Sequence, residues 1–183
     1  TVCEVVRALI DMGVVGINIE DGTLPGTRAL APPEILCERI EALRRLDARF
    51  FINARTDTYF VANDDPAARY EDTLRRARRY ASAGADGIFV PGMSKLDEIA
   101  GLAAAVPLPV NVYAGHTQAL PVAVLAGAGV RRISLGCGPL QAALGLLGRI
   151  AAEAFDGSDA GFRAMGAGML SAGEVNALFS GAA

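Results

Sequence analysis

The chain has 183 residues, of which 52% are hydrophobic and 20% charged, enough for one domain with a large buried core and inconsistent with a disordered tail. Its 17 basic and 20 acidic residues leave a formal charge of −3, which excludes a global basic field that would draw it onto nucleic acid or anionic lipid. Three widely spaced cysteines, Cys3, Cys37 and Cys137, predict free thiols in a reducing compartment, hence a cytoplasmic protein rather than a disulfide framework.

In chain order, Thr1–Met12 reads as the middle of a helix, so the chain is expected to be cut from a longer protein. Five short apolar runs follow, each leading into helical patterning: Val14–Ile19, Phe50–Ala54, Asp86–Val90, Pro109–Tyr113 and Arg132–Leu135. Their starts lie 36, 36, 23 and 23 residues apart, the spacing of strand–helix units in a parallel sheet. Helices are predicted at Pro33–Leu46, Pro66–Ala83, Ser94–Ala105, Thr117–Ala126 and Pro139–Phe155. Asp65-Pro66 supplies an N-cap followed by proline at the first helical position. Gly-Ala-Asp-Gly (84–87) and Gly-Ala-Gly-Val (127–130) read as tight helix-to-strand returns. The Gly-rich stretch 156–168 is expected to be a linker, and a last helix to begin at Ser171, where Glu174 completes a capping box.

The strand patterns choose between an open doubly wound sheet and a closed barrel. Ile17 and Ile19 alternate with Asn18 and Glu20, Ile52 and Ala54 with Asn53 and Arg55, Val110 and Val112 with Asn111 and Tyr113. Strands covered by helices on both faces should be apolar throughout. One apolar face, with the other turning polar towards the strand C-termini, suits a barrel interior opening onto a mouth. The prediction is an α/β fold of the (β/α)₈ TIM-barrel type, present here as about five strands over residues 1–155, with the N-terminal units missing and a linker and helix over 156–183.

Several chemistries are excluded. His116 is the sole histidine and no two cysteines are close, so a His/Cys zinc cluster is ruled out. Lys95 is the sole lysine and sits at a predicted helix start, a poor place for a Schiff-base nucleophile inside a barrel. Any metal should be a hard cation held by oxygen. Ile99–Val130 carries no formal charge, but Pro107, Pro109 and Pro121 interrupt it, which argues against a membrane span.

Glu20 and Asp21, ending the first strand, are the first candidates for chemistry, with a turn or capping role as the plainer reading. Arg55-Thr56-Asp57 is the second: an inward arginine forks onto a carboxylate or phosphonate, or serves a structural ion pair with Asp57 or Glu20. Asn111 and Tyr113 could donate to substrate oxygens, although an inward Asn also satisfies polar neighbours. His116 reads as a loop group, and Cys137 as a small buried thiol. Arg69, Arg75, Arg76, Arg78 and Arg79, interleaved with Glu71 and Asp72, are expected on a solvated helix face.

Five motifs in order, Gly-Ile-Asn-Ile-Glu-Asp (16–21), Ile-Asn-Ala-Arg-Thr-Asp (52–57), Gly-Ala-Asp-Gly-Ile-Phe-Val-Pro-Gly (84–92), Leu-Pro-Val-Asn-Val (108–112) and Gly-Val-Arg-Arg-Ile-Ser-Leu-Gly (129–136), resemble the isocitrate lyase/phosphoenolpyruvate mutase family. The resemblance covers about residues 1–155 and lies nearest the phosphonomutase-like branch. It implies a barrel that binds Mg²⁺, with Mn²⁺ as a substitute, and that makes or breaks C–C or P–C bonds next to a 2-oxo acid through a metal-stabilised enolate. By position, Glu20 would reach the metal through water, Arg55 would bind the substrate carboxylate or phosphonate, and Asn111 would line the pocket. The direct metal-binding aspartates would lie upstream of residue 1. A homodimer or homotetramer with exchanged C-terminal helices is also implied. The segment Gly22–Arg28 lacks the Cys-Gly-His loop of isocitrate and methylisocitrate lyases, and Cys137 falls about where oxaloacetate decarboxylases place a histidine; both speak against those activities. The rival readings are a non-catalytic barrel module and another metal-dependent pyruvate aldolase.

Overall fold

The computed structural model describes residues 1–23, 29–61, 65–115, 119–157 and 159–180. It divides into two compact units, Thr1–Leu135 and Gly136–Ala183.

The first unit runs α1 (Val2–Asp11), β1 (Gly16–Glu20), α2 (Pro33–Leu46), β2 (Phe51–Arg55), α3 (Pro66–Ser82), β3 (Gly87–Phe89), α4 (Leu96–Ala105), β4 (Val110–Tyr113), α5 (Val122–Gly127) and β5 (Val130–Ser134). The strands form one parallel sheet in the order β1-β2-β3-β4-β5, as expected of consecutive strand–helix units. Thr1 caps α1 through a capping box with Glu4. On α3, Asp65 accepts from the amides of Ala67 and Ala68, and Pro66 occupies the first turn.

One face of the sheet makes the core. Ile52, Ala54, Ile88, Val90, Val110 and Val112 are buried there with Leu36, Ile40 and Leu43 of α2, Leu74 and Ala77 of α3, and Ile99 and Leu102 of α4. On α2 these residues recur at i, i+4 and i+7, the stripe one helix face presents to a sheet.

The other face is polar and concave. Arg132 on β5 donates to the Asn18 side chain on β1 at 3.3 Å. Four strand spacings separate these strands, about 19 Å in a flat sheet, a gap these two side chains cannot bridge. The sheet therefore curls into an arc of barrel. The curl also depends on an irregularity: β4 and β5 pair Val110 with Val130 but Asn111 with Arg132, so Arg131 is skipped and Arg132 takes the inner face. The sequence pattern started this strand at Arg132 and so did not show the bulge.

The turn into β3 is fastened from outside. Gly84 has φ of +103°, which favours glycine. Asp86 Oδ2 accepts from Ile52 N at 2.8 Å and from Arg44, which also donates to the carbonyls of Gly84 and Phe50. A Cβ on Gly87 would lie 2.6 Å from Asn53 Oδ1, so a side chain here would displace the buried Asn53 amide.

The second unit contains α6 (Gly138–Asp156), α7 (Ala160–Gly168) and α8 (Ala172–Phe179). The stretch read as a linker from its glycines carries α7, and by compactness α6 groups with α7 and α8. Gly157 ends α6 with φ of +77°, and the buried Glu153 carboxylate accepts from Gly161 N at 2.6 Å and Phe162 N at 3.2 Å. That carboxylate serves first-turn amides of α7 that have no partner within the helix, which composition cannot show. Ser171 and Glu174 form the expected capping box on α8. Among the described residues, no helix is long and apolar enough to cross a membrane.

Candidate active site at the strand C-termini

Parallel pairing puts residues of equal register side by side on one face. Asn18 pairs with Asn53 and Glu20 with Arg55 across β1–β2, and Arg55 with Phe89 across β2–β3. The floor of the concavity is a polar cluster in which Asn18 Oδ1 accepts from Asn53 Nδ2 at 2.8 Å and from Arg132.

Towards the strand ends, Glu20 and Arg55 share this face as the alternation predicts. Arg55 NH1 lies 2.9 Å from Glu20 Oε2. Arg55 Nε and NH2 donate to the two oxygens of Asp57 at 2.6 and 3.1 Å. The rings of Phe60 and Phe89 each centre 5.8 Å from the guanidinium carbon, within reach of cation–π attraction. Arg55 and Glu20 keep 22% and 36% side-chain exposure, whereas Asp57 has 1%.

Asp21, adjacent to Glu20, has a different job. Its carboxylate is fully buried. Oδ2 accepts from Thr56 Oγ1 at 2.8 Å, Tyr80 OH at 2.6 Å and Arg76 NH1 at 3.0 Å, and Oδ1 accepts from Asp57 N at 3.0 Å. With every donor inside the protein, this is a structural anchor tying β1, the end of β2 and α3 together. Burial, and then the Asp21 charge, push the Tyr80 phenol well above the usual tyrosine range, keeping it a proton donor.

Arg76 departs from the solvated face expected for its helix: it is buried, joined to Asp21, to Asp72 at 2.9 Å and to the Ala31 carbonyl at 2.9 Å. Burial would raise the Asp72 carboxyl, but hydrogen bonds from Arg76 and Arg75 carry it below the ordinary value. Arg69 stacks on the Tyr59 ring at 4.4 Å. Tyr59 in turn donates to Glu98 Oε2 at 2.7 Å, and burial with that bond raises its phenol.

Asn111 lies on the inner face in register with Phe89 and Arg132. It is buried and pairs with Ser134, Nδ2 to Oγ at 3.1 Å. Tyr113 donates to the Gly115 carbonyl at 2.8 Å. His116 and residues 24–28 of the segment after β1 lie outside the described residues. Cys137 is an exposed thiol in the second unit rather than a buried one. Arg132 and Ser134 escaped the sequence reading as site residues, although both lie in the motif at 129–136.

Among the described residues, no group of three or more His, Cys, Asp or Glu could hold a metal ion. Among the described residues, Asp21 is committed to buried donors and Asp57 to Arg55, which leaves Glu20 as the acid at this mouth. One carboxylate does not make a hard-cation site, so these residues by themselves do not fit a resident Mg²⁺.

A curled parallel β/α sheet with an arginine and a carboxylate at its strand C-termini has the architecture of the (β/α) barrels, a class whose enzymes carry their sites at that end. Residues 1–155 match the phosphoenolpyruvate phosphomutase family, and the chain belongs to that family. The oxaloacetate decarboxylase of Bradyrhizobium sp. strain BTAi1 is 31% identical over 145 residues, covering 75% of this chain and 48% of that protein. A crystal structure from Burkholderia cenocepacia J2315, provisionally named a phosphonomutase, superposes with a TM-score of 0.73 at 40% identity, covering 82% of this chain and 64% of that one. Phosphonopyruvate hydrolase in complex with oxalate and Mg²⁺ superposes at 0.72 with 26% identity, covering 98% and 63%. The chain spans about half the length of the curated relatives it matches, and its five strands are part of their type of TIM barrel.

Proposed function

We propose that the whole protein is a lyase or mutase acting on a small 2-oxo or hydroxy acid, or a phosphonate. It would make or break the C–C or P–C bond next to the oxo group through an enolate. The observation that carries this reading is the Glu20–Arg55 contact of 2.9 Å on the concave face. A guanidinium has five N–H donors. Asp57 takes two and Glu20 one, and each terminal nitrogen retains one N–H. That pair suits a forked contact to a carboxylate or phosphonate.

Arg55 would hold the anionic end of the substrate between the faces of Phe60 and Phe89, which limit water at the bond being broken. Asn111, held by Ser134, would line the far side of the pocket. Mg²⁺ bound in the whole protein would supply fixed positive charge for the enolate oxygen. Its ligands would come from outside this residue set, with Glu20 in reach of one of its waters. The exposed Leu140, Leu144 and Leu147 along α6 support a homodimer or homotetramer with exchanged C-terminal helices.

The test is a pyruvate-release screen of the full-length protein over substituted malates, oxaloacetate and phosphonopyruvate, with Mg²⁺ and with EDTA. Metal-dependent release from one of these is expected. Metal-dependent pyruvate release from an aldol alone would move the assignment to an aldolase, and silence across the panel would favour a non-catalytic module. Calorimetry of the 183-residue chain alone should show weak Mg²⁺ binding; tight binding would contradict the ligand assignment.

A further inference from the structure

We propose that Asp57 is a positioning residue that sets the orientation of Arg55 towards the substrate, a reading that rests on the role given to Arg55 above. The Arg55 side chain leaves the end of β2, where several rotamers could carry its guanidinium over the mouth. Asp57 removes that freedom by gripping one edge with both oxygens, at 2.6 and 3.1 Å from Nε and NH2. Such a two-point contact fixes the plane of the group as well as its place.

Asp57 is itself secured. Its side chain is 1% exposed, and its own amide donates to Asp21 Oδ1. Asp21 also takes Thr56 Oγ1, so the two residues after Arg55 are both fastened to the buried Asp21–Arg76–Tyr80 cluster. A Cβ on Gly22 would come within 2.6 Å of Asp57 Oδ2, so the Gly22 backbone lies directly against the carboxylate. The outcome is an arginine with one edge occupied by Asp57 and, after the Glu20 contact, one N–H on each terminal nitrogen left for an anion. Pre-orientation of this kind lowers the cost of ordering the side chain when an anion binds.

The experiment uses the full-length protein with Mg²⁺ and oxalate as the binding probe, read by titration calorimetry, with kcat and KM on the best substrate of the screen. Asp57→Asn should weaken oxalate binding at least tenfold and raise KM more than it lowers kcat. In an Arg55→Ala background the same change should add nothing, since Asp57 acts through Arg55. Asp65→Ala, which removes the N-cap of α3 without touching Asp57, its anchor or the guanidinium, should lower Tm and leave oxalate affinity unchanged. If Asp57→Asn does not fold, Asp57→Glu carries the test: weakened oxalate binding at a native Tm supports the proposal and wild-type affinity overturns it. Wild-type oxalate binding by Asp57→Asn while Arg55→Ala has lost it overturns the positioning role alone. If Arg55→Ala binds oxalate normally, the reading of Arg55 fails and this inference falls with it.

Discussion

Glu20 Oε2 and Arg55 NH1 lie 2.9 Å apart across one rung of the β1–β2 ladder, while the next residue, Asp21, is sealed beneath helix α3. Two neighbouring acids are thus divided between the mouth of the arc and its frame. Arg55→Ala in the full-length protein should lower kcat/KM at least tenfold, about 1.4 kcal/mol of transition-state binding. Steady-state kinetics on the substrate found in the screen make the check, and near-wild-type turnover would remove Arg55 from the mechanism.

Asp21 should matter for stability. Asp21→Ala takes from the buried Arg76 one of its two carboxylates and leaves Thr56, Tyr80 and the Asp57 amide without their acceptor, so a loss of about 3 kcal/mol is expected. Urea unfolding followed by far-UV circular dichroism measures it. A loss no larger than that of a surface substitution would contradict the anchor role.

Tyr80 links stability to alkaline pH. Its folded pKa is raised, so its contribution is fully present below the unfolded value of about 10 and fades as pH rises beyond that. Wild-type Tm should fall above about pH 10, and Tyr80→Phe should fall less steeply there. At neutral pH the variant should lose about 1.5–3 kcal/mol for a hydrogen bond to a charged group. Parallel alkaline slopes for the two proteins would count against this assignment.

Two glycines should respond in opposite directions. Gly87→Ala forces a Cβ to within 2.6 Å of Asn53 Oδ1 and should lower Tm while disturbing the Asn18–Asn53–Arg132 floor. At Gly127, at the end of α5, a Cβ meets nothing within 4 Å, so alanine should stabilise by about 0.4–1 kcal/mol. Equal effects at both sites would show that packing around β3 is looser than these contacts require.

The sequence by itself determined what depends on neighbours along the chain. Period-two alternation placed Ile52 and Ala54 against the helices and Asn53 and Arg55 on the inner face, and capping chemistry placed the starts of α3 and α8. It also put Glu20 and Arg55 on one side of the sheet, because both end strands of the same pattern. Tertiary structure decided the rest. Arg76 and Arg79 stand three apart on one helix, and only the docking of α3 over the end of β1 buries the first and leaves the second with Glu34 at the surface. Arg131 and Arg132 are identical as text; a one-residue slip between β4 and β5 chooses which of them faces inward. Glycines at 157, 161, 166 and 168 read as a linker, yet Glu153 reaches from α6 to hold the first turn of α7. In each case the deciding interaction joins residues distant in sequence or from different elements, and local pattern carries no record of such a partner.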